Sequence, residues 1–136
     1  MTDATPIKKI LIVDNERHIR TLLKQSLYQL EKKGVKLLTA ETGQDSLKLL
    51  DAEHPDLIFL DLMMPGLNGF DVCRLIKSDV HLRNTYIIIL TARSQSVDKL
   101  MGNIVGADEY IVKPFDPEMI ARRAQQILKI AEPVAG

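Results

Sequence analysis

The chain has 136 residues, which predicts a single domain spanning residues 1–136, with its core over about 8–130. Its 18 basic and 18 acidic residues cancel, so no overall field attracts nucleic acid or an anionic membrane, and we expect neither as a partner. The apolar runs are too short to span a membrane, the amino terminus lacks a signal pattern, and the only cysteine, Cys73, excludes an internal disulfide, so we expect a cytoplasmic protein.

Short apolar runs rich in β-branched residues alternate along the chain with segments of helical periodicity. This alternation is typical of repeated βα units, whose right-handed crossovers place helices on both faces of a parallel sheet. We predict an α/β fold, a doubly wound parallel sheet of five strands with five helices. The predicted strands cover residues 8–13, 35–39, 57–61, 86–90 and 110–112. The predicted helices cover residues 16–31, 43–53, 70–78 and 95–105, and a last one begins at residue 117.

Two of the predicted helices have informative local chemistry. The helix over residues 95–105 contains Gly102 and Asn103, both poor helix formers, so we expect it to be soft. The last helix has Asp116 as its N-cap and Pro117 at its first position, which is a strong start signal. Residues 1–6 and 132–136 are predicted to be flexible tails.

Polar side chains stand at the ends of four predicted strands. Asp14 and Asp61 each follow an apolar run, as do Thr91 and Lys113. The carboxyl ends of parallel strands meet at one edge of a sheet, and ligands bind in the crevice at that edge. The sequence therefore predicts a site that combines two carboxylates, a hydroxyl group and an ammonium group.

At these residues the chain resembles the receiver domain of bacterial two-component response regulators, over about residues 8–130. The matching stretches are Ile-Val-Asp14, Asp61-x-x-Met-Pro-Gly-x-x-Gly69, Leu-Thr91-Ala92 and Gly-Ala-Asp-Glu-Tyr110-Ile-Val-Lys113-Pro114-Phe115. Each stretch follows its own apolar strand, which makes a chance match improbable. The resemblance implies a flavodoxin-like fold and a stand-alone regulator similar to those of chemotaxis.

The resemblance further implies the phosphoacceptor domain of a phosphorelay. Asp61 is the expected acceptor, taking a phosphoryl group from a sensor histidine kinase, a phosphotransfer protein or a small phosphodonor. Asp14, Asp61 and the main-chain carbonyl of Met63 are the expected ligands of Mg²⁺. Lys113 and Thr91 are expected to contact the phosphoryl oxygens. Such a domain catalyses its own phosphorylation and dephosphorylation and is not an enzyme in the usual sense.

The resemblance also implies a conformational switch. Thr91 is expected to move toward the phosphoryl group while Tyr110 rotates inward behind it. This movement would reshape the surface of the fourth and fifth βα units, where a downstream protein target is expected to bind. The soft helix around Gly102 is our candidate for the element that changes state.

One position departs from the family pattern. The residue after Asp14 is usually a second acid and a metal ligand, whereas here it is Asn15, which has an amide oxygen but no charge. We expect Asn15 to be at best a weak ligand, and we expect the neighbouring Glu16 to face solvent. Met63 and Arg93 occupy places that in the family influence the access of water to the phosphoryl group.

Three alternatives stay open at this stage. Asp61 and Lys113 by themselves could form a structural ion pair. The chain could be a pseudo-receiver, a phosphorylation-independent interaction module in which Asn15 has weakened metal binding. A small α/β enzyme or flavin protein fits less well, because no Gly-rich phosphate loop follows the first strand and Met63 occupies the place where a phosphohydrolase needs a second acid.

Overall fold

A computed structural model of the protein describes residues 6–92 and 106–130. Within these ranges, five parallel strands form one sheet in the order β2-β1-β3-β4-β5. This order is that of a doubly wound, flavodoxin-like sheet, whose topological switch point lies between β1 and β3. The predicted fold class is confirmed. The strands are β1 (Lys9–Val13), β2 (Lys36–Ala40), β3 (Leu57–Asp61), β4 (Tyr86–Ala92) and β5 (Glu109–Lys113).

Helices cover both faces of this sheet. In the described ranges they are α1 (Arg17–Ser26), α2 (Tyr28–Lys32), α3 (Gly43–Glu53), α4 (Gly69–Ser78) and α5 (Pro117–Leu128). The predicted soft helix over residues 95–105, with Gly102, lies outside the described residues. So do Arg93 and residues 1–5 and 131–136, which include most of the two predicted tails.

The strands divide the apolar core into two clusters because alternate side chains point to opposite faces of the sheet. Ile12 and Phe59 belong to the cluster under α1, α2 and α5. Val13 and Leu60 belong to the cluster under α3 and α4, which also contains Cys73. Both faces are buried, which explains why these strands are continuously apolar rather than alternating. Cys73 is an ordinary core residue, as its sequence context predicts.

The first helix differs from its prediction. Instead of one helix over residues 16–31, the chain leaves helical geometry at Leu27 (φ −100°, ψ 8°) and continues as the short α2. The hydroxyl of Ser26 donates to the main-chain carbonyl of Leu22 at 2.7 Å, a contact that bends helices. The break still leaves Leu27 fully buried. The apolar stripe thus survives an interruption that its periodicity does not reveal.

Local capping chemistry sets the ends of the other helices. Asp116 accepts a hydrogen bond from the main-chain N–H of Glu118 at 3.0 Å and Pro117 follows it, so the predicted start of α5 is confirmed. Asn68 and Asp71 form a reciprocal capping box at the start of α4. This box holds the loop that leads from β3 into α4.

Gly69 lets this loop approach the end of β3. A Cβ atom at this position would lie 2.5 Å from the main-chain oxygen of Asp61 and 2.8 Å from the Cα of Leu62. Any larger residue would therefore push the loop away from Asp61.

Among the described residues, no helix is long and apolar enough to cross a membrane. The cytoplasmic location stays a prediction.

Candidate functional site

Two carboxylates converge on one ammonium group at the carboxyl edge of the sheet. The Lys113 Nζ atom lies 3.0 Å from Asp14 Oδ2 and 3.2 Å from Asp61 Oδ1. The alternation of the strands explains the meeting: Asp14, Asp61 and Lys113 each stand two residues after a core residue of the α1/α5 face. The sequence predicted that these three residues share an edge, and the structure joins them directly.

Burial makes this cluster electrostatically unusual. Asp14 is fully buried and Asp61 is only 5% exposed. Burial and then the nearby charge of Asp14 raise the pKa of Asp61 to about 6, although Lys113 and the Met63 main-chain N–H favour its charged form. Burial alone would lower the pKa of Lys113, but its hydrogen bonds to Asp14 and the charges of both carboxylates outweigh that effect and raise it. One ammonium group therefore compensates two buried acids only in part.

Asp14 is held from two further sides. Its Oδ1 atom accepts the main-chain N–H of Glu16 at 2.8 Å. Arg20 donates from Nη1 to the main-chain oxygen of Asp14 at 2.7 Å, and its Nη2 atom pairs with Glu41 at 3.2 Å. Sequence reasoning missed Arg20, because nothing in the chain marks a residue six positions later as a support for the end of β1.

Thr91 and Tyr110 lie on the face of the sheet that α3 and α4 cover, opposite to the face of Asp14, Asp61 and Lys113. Leu90 pairs with Asp61 across the sheet, so Thr91 is one residue beyond Asp61 on the neighbouring strand. Ile89 pairs with Tyr110, and Thr91 follows Ile89 by two residues, which places Thr91 and Tyr110 on the same side. Thr91 is 1% exposed, and Tyr110 is half-buried against the α3/α4 core cluster.

A small cavity of about 190 Å³ opens at this edge. Of the described residues, its wall consists of Glu16, Asp61, Met63, Ala92 and Lys113. Met63 is 59% exposed, and its influence on the access of water to the phosphoryl group stays a prediction. Glu16 is exposed, as expected, yet it also lines this wall.

The donor set at this edge fits Mg²⁺. Magnesium prefers hard oxygen ligands and is commonly held by one or two carboxylates, with water and phosphate oxygens completing the octahedron. Asp14 and Asp61 supply two such carboxylates. Within residues 6–92 and 106–130, no group of three or more His, Cys, Asp or Glu side chains is arranged to hold a metal ion.

The match to a protein family decides the assignment. Residues 10–125 match the family model described as the response regulator receiver domain. The chain belongs to this family. The receiver domain is 42% identical over 125 residues to the alkaline phosphatase synthesis transcriptional regulatory protein PhoP of Bacillus subtilis, covering 92% of this chain and 50% of PhoP. It is 41% identical over 123 residues to the transcriptional regulatory protein AfsQ1 of Streptomyces coelicolor, covering 90% and 52%.

Solved structures of receiver domains have the same fold. The chemotaxis protein CheY4 of Vibrio cholerae superposes with a TM-score of 0.79 at 29% identity, over 90% of this chain and 99% of CheY4. The response regulator DrrB of Thermotoga maritima superposes with a TM-score of 0.78 at 33% identity, over 91% of this chain and 54% of DrrB. The predicted resemblance to two-component response regulators is thus confirmed.

The relatives correct one prediction. We expected no nucleic-acid partner, and this expectation is wrong, because the relatives that the receiver domain matches are named as transcriptional regulators. The chain spans about half the length of these curated relatives. Charge balance over 136 residues describes only the matched half, so it carries no information on what the rest of such a protein contacts. The stand-alone architecture stays a prediction.

Proposed function

We propose that this receiver domain accepts a phosphoryl group on Asp61 from a histidine kinase or phosphotransfer protein and relays the change to a protein partner. The observation that carries the proposal is that Asp14 and Asp61 share Lys113 at the carboxyl edge of the sheet. The distances from Lys113 Nζ to the two carboxylate oxygens are 3.0 and 3.2 Å. An isolated structural ion pair needs one acid, whereas this site buries two. The excess negative charge suits a site that also receives a cation.

Each residue has a defined part in the proposed transfer. A carboxylate oxygen of Asp61 attacks the phosphorus atom and forms an acyl phosphate, and the bond to the donor's imidazole nitrogen breaks with that nitrogen keeping its electron pair. Lys113 places a positive charge beside the oxygens of the transferring group. Asp14, Asp61 and the main-chain carbonyl of Met63 would hold Mg²⁺, which would supply further positive charge there. The pKa of about 6 leaves Asp61 mostly ionised at neutral pH, as a nucleophile must be.

The proposed relay uses the other face of the sheet. A phosphoryl group adds roughly two negative charges and three acceptor oxygens at Asp61. The hydroxyl of Thr91, one residue further along the neighbouring strand, is the donor that responds in this proposal. A shift of Thr91 changes the packing of Tyr110 on the same face, and this couples the site to the surface of the fourth and fifth βα units.

Intact-mass spectrometry with acetyl phosphate tests this function. With Mg²⁺ present, the wild-type chain should gain the mass of one phosphoryl group, and omission of Mg²⁺ or the substitution Asp61→Asn should abolish the gain. Asp51→Asn is the matched control, because Asp51 is an exposed acid on α3 and its loss should leave the gain intact. A gain that persists in Asp61→Asn would assign the acceptor elsewhere.

Asn15 supports a second candidate, the phosphorylation-independent interaction module. The charge that the family usually places after Asp14 is absent, and the amide of Asn15 cannot replace it. If the wild-type chain stays unphosphorylated at high Mg²⁺ while a positive-control receiver is modified in the same assay, this candidate replaces the first one.

A further inference from the structure

The chain carries an acid one position after the place where its second acid is missing. Glu16 lines the cavity at Asp61, and its Oε1 atom lies 4.0 Å from Lys113 Nζ, the ammonium that Asp14 and Asp61 share. We propose that Glu16 supplies the carboxylate charge that Asn15 lacks, and so sets the affinity of this site for a divalent cation. This inference rests on the proposed function, because it concerns the cation site of that function.

The charge count at the cavity favours this role. Asp14, Asp61 and Glu16 contribute three negative charges, and Lys113 contributes one positive charge. Arg20 does not change the balance, because its guanidinium pairs with Glu41. The remaining two negative charges equal the charge of one divalent cation. Without Glu16 the local balance would be one negative charge, and the attraction for a divalent cation would fall.

The backbone of Glu16 is fixed while its carboxylate is free to turn. Its main-chain N–H donates to Asp14 Oδ1 at 2.8 Å, and its main-chain oxygen accepts the N–H groups of Ile19 and Arg20 at 3.1 and 3.2 Å. Its side chain is 50% exposed, and the distances from its carboxylate to Lys113 Nζ, 4.0 Å, and to His18 Nε2, 3.5 Å, are longer than those of good hydrogen bonds. A side chain anchored in this way can reach the cavity directly or through one water molecule.

Isothermal titration calorimetry with Mg²⁺ on the full chain tests the inference without any phosphoryl donor. Glu16→Gln keeps the shape of the side chain and should weaken Mg²⁺ binding about tenfold, the size of effect expected for a supporting ligand. Glu31→Gln removes an equal charge from an exposed acid on α2 and should change the affinity less than about twofold. Equal affinities of these two variants would overturn the inference.

A double-mutant cycle with Asn15→Asp asks whether Glu16 replaces the missing acid. If it does, Asn15→Asp should tighten Mg²⁺ binding, and Glu16→Gln should cost much less in that background than in the wild type. A merely structural role of Glu16 predicts the same loss in both backgrounds, and that result would also overturn the inference.

The two proposals fail in different ways. Phosphorylation by acetyl phosphate at saturating Mg²⁺ is measured on the wild type. A wild type that is phosphorylated, together with equal Mg²⁺ affinities of Glu16→Gln and Glu31→Gln, would overturn the role of Glu16 alone. A wild type that binds Mg²⁺ in a Glu16-dependent way but takes no phosphoryl group would overturn the phosphoacceptor proposal alone. A wild type that neither binds Mg²⁺ nor takes the group would overturn both.

Discussion

Strand β5 begins in one charged cluster and ends in another, and the two clusters differ in how far their bases compensate their acids. At its start, Glu109 pairs with Arg123 of α5 and accepts the hydroxyl of Tyr86 at 3.0 Å. At its end, Lys113 is shared by Asp14 and Asp61. The first cluster matches one acid with one base. The second matches two buried acids with one base.

The pKa shifts express this difference. Burial raises the pKa of Glu109, but the hydrogen bonds from Arg123 and Tyr86 outweigh it, so the pKa is lowered overall. Burial and the charge of Asp14 raise the pKa of Asp61 to about 6 instead. The ionised state of Glu109 is therefore stabilised by the fold, whereas the ionised state of Asp61 is tolerated at a cost. Such undercompensated charge marks a site for a ligand rather than for stability.

The largest expected effect comes from removing the shared base. Lys113→Met leaves Asp14 and Asp61 buried without their ammonium partner, and we expect a loss of about 3 kcal/mol in the free energy of unfolding at pH 7.5. Urea denaturation measures this value. The loss should shrink at pH 4, where Asp61 is protonated in the folded chain. A loss of the same size at both pH values would show that Lys113 acts through packing and not through charge.

A gain of stability is expected when one of the two acids is neutralised. The folded pKa of Asp61 is about 6 against an ordinary value of 3.8, so its ionised form destabilises the fold above pH 6, and this cost disappears as pH falls below 3.8. This pKa difference corresponds to about 3 kcal/mol. Because solvent in the open cavity at Asp61 screens part of the effect, we expect Asp61→Asn to raise the free energy of unfolding by about 2 kcal/mol at pH 7.5 and by almost nothing at pH 3.5. Thermal unfolding at both pH values, with Asp51→Asn as the exposed control, measures the difference. A loss of stability at pH 7.5 would contradict the account of the site.

The smallest effect is expected at the start of β5, where the substitution should lower the free energy of unfolding rather than raise it as Asp61→Asn does. Glu109→Gln removes the charge that Arg123 and Tyr86 satisfy, and because the pair is partly exposed we expect a loss of only about 1 kcal/mol at pH 7.5. The lowered pKa of Glu109 means that its stabilisation is present above its unfolded pKa and is lost as pH falls through the lower folded pKa. Denaturation of the variant and the wild type between pH 3 and 7.5 should thus show the two proteins converging in acid. Lowering the pH therefore removes a stabilising contribution of Glu109 and a destabilising contribution of Asp61.

Local patterns in the sequence were enough to predict most of the fold. The apolar runs before Asp14 and Asp61 identified β1 and β3, and Asp116 with Pro117 identified the start of α5. These signals are local, because an apolar run and the cap of a helix are both recognised from residues that are neighbours in the sequence. The positions of Asp14, Asp61 and Lys113 at the ends of parallel strands then sufficed to predict that they share one edge.

Other features depended on contacts between distant parts of the chain. The break at Leu27 keeps the apolar stripe intact, so periodicity alone does not show it. Arg20 hydrogen-bonds to the end of β1, and Arg123 of α5 pairs with Glu109 of β5. Charged residues on a helix face are usually only solvated, so the sequence does not indicate either contact.

The sequence by itself therefore determined which residues meet at the edge of the sheet, because short-range patterns identify the residue that ends each strand and parallel strands share their carboxyl edge whatever their order. Only the tertiary structure decided how strongly they interact. Lys113 reaches Asp14 across 99 residues and Asp61 across 52, and the burial that raises the pKa of Asp61 arises from packing of the whole sheet. Desolvation and charge coupling depend on distances in space, which no local pattern encodes.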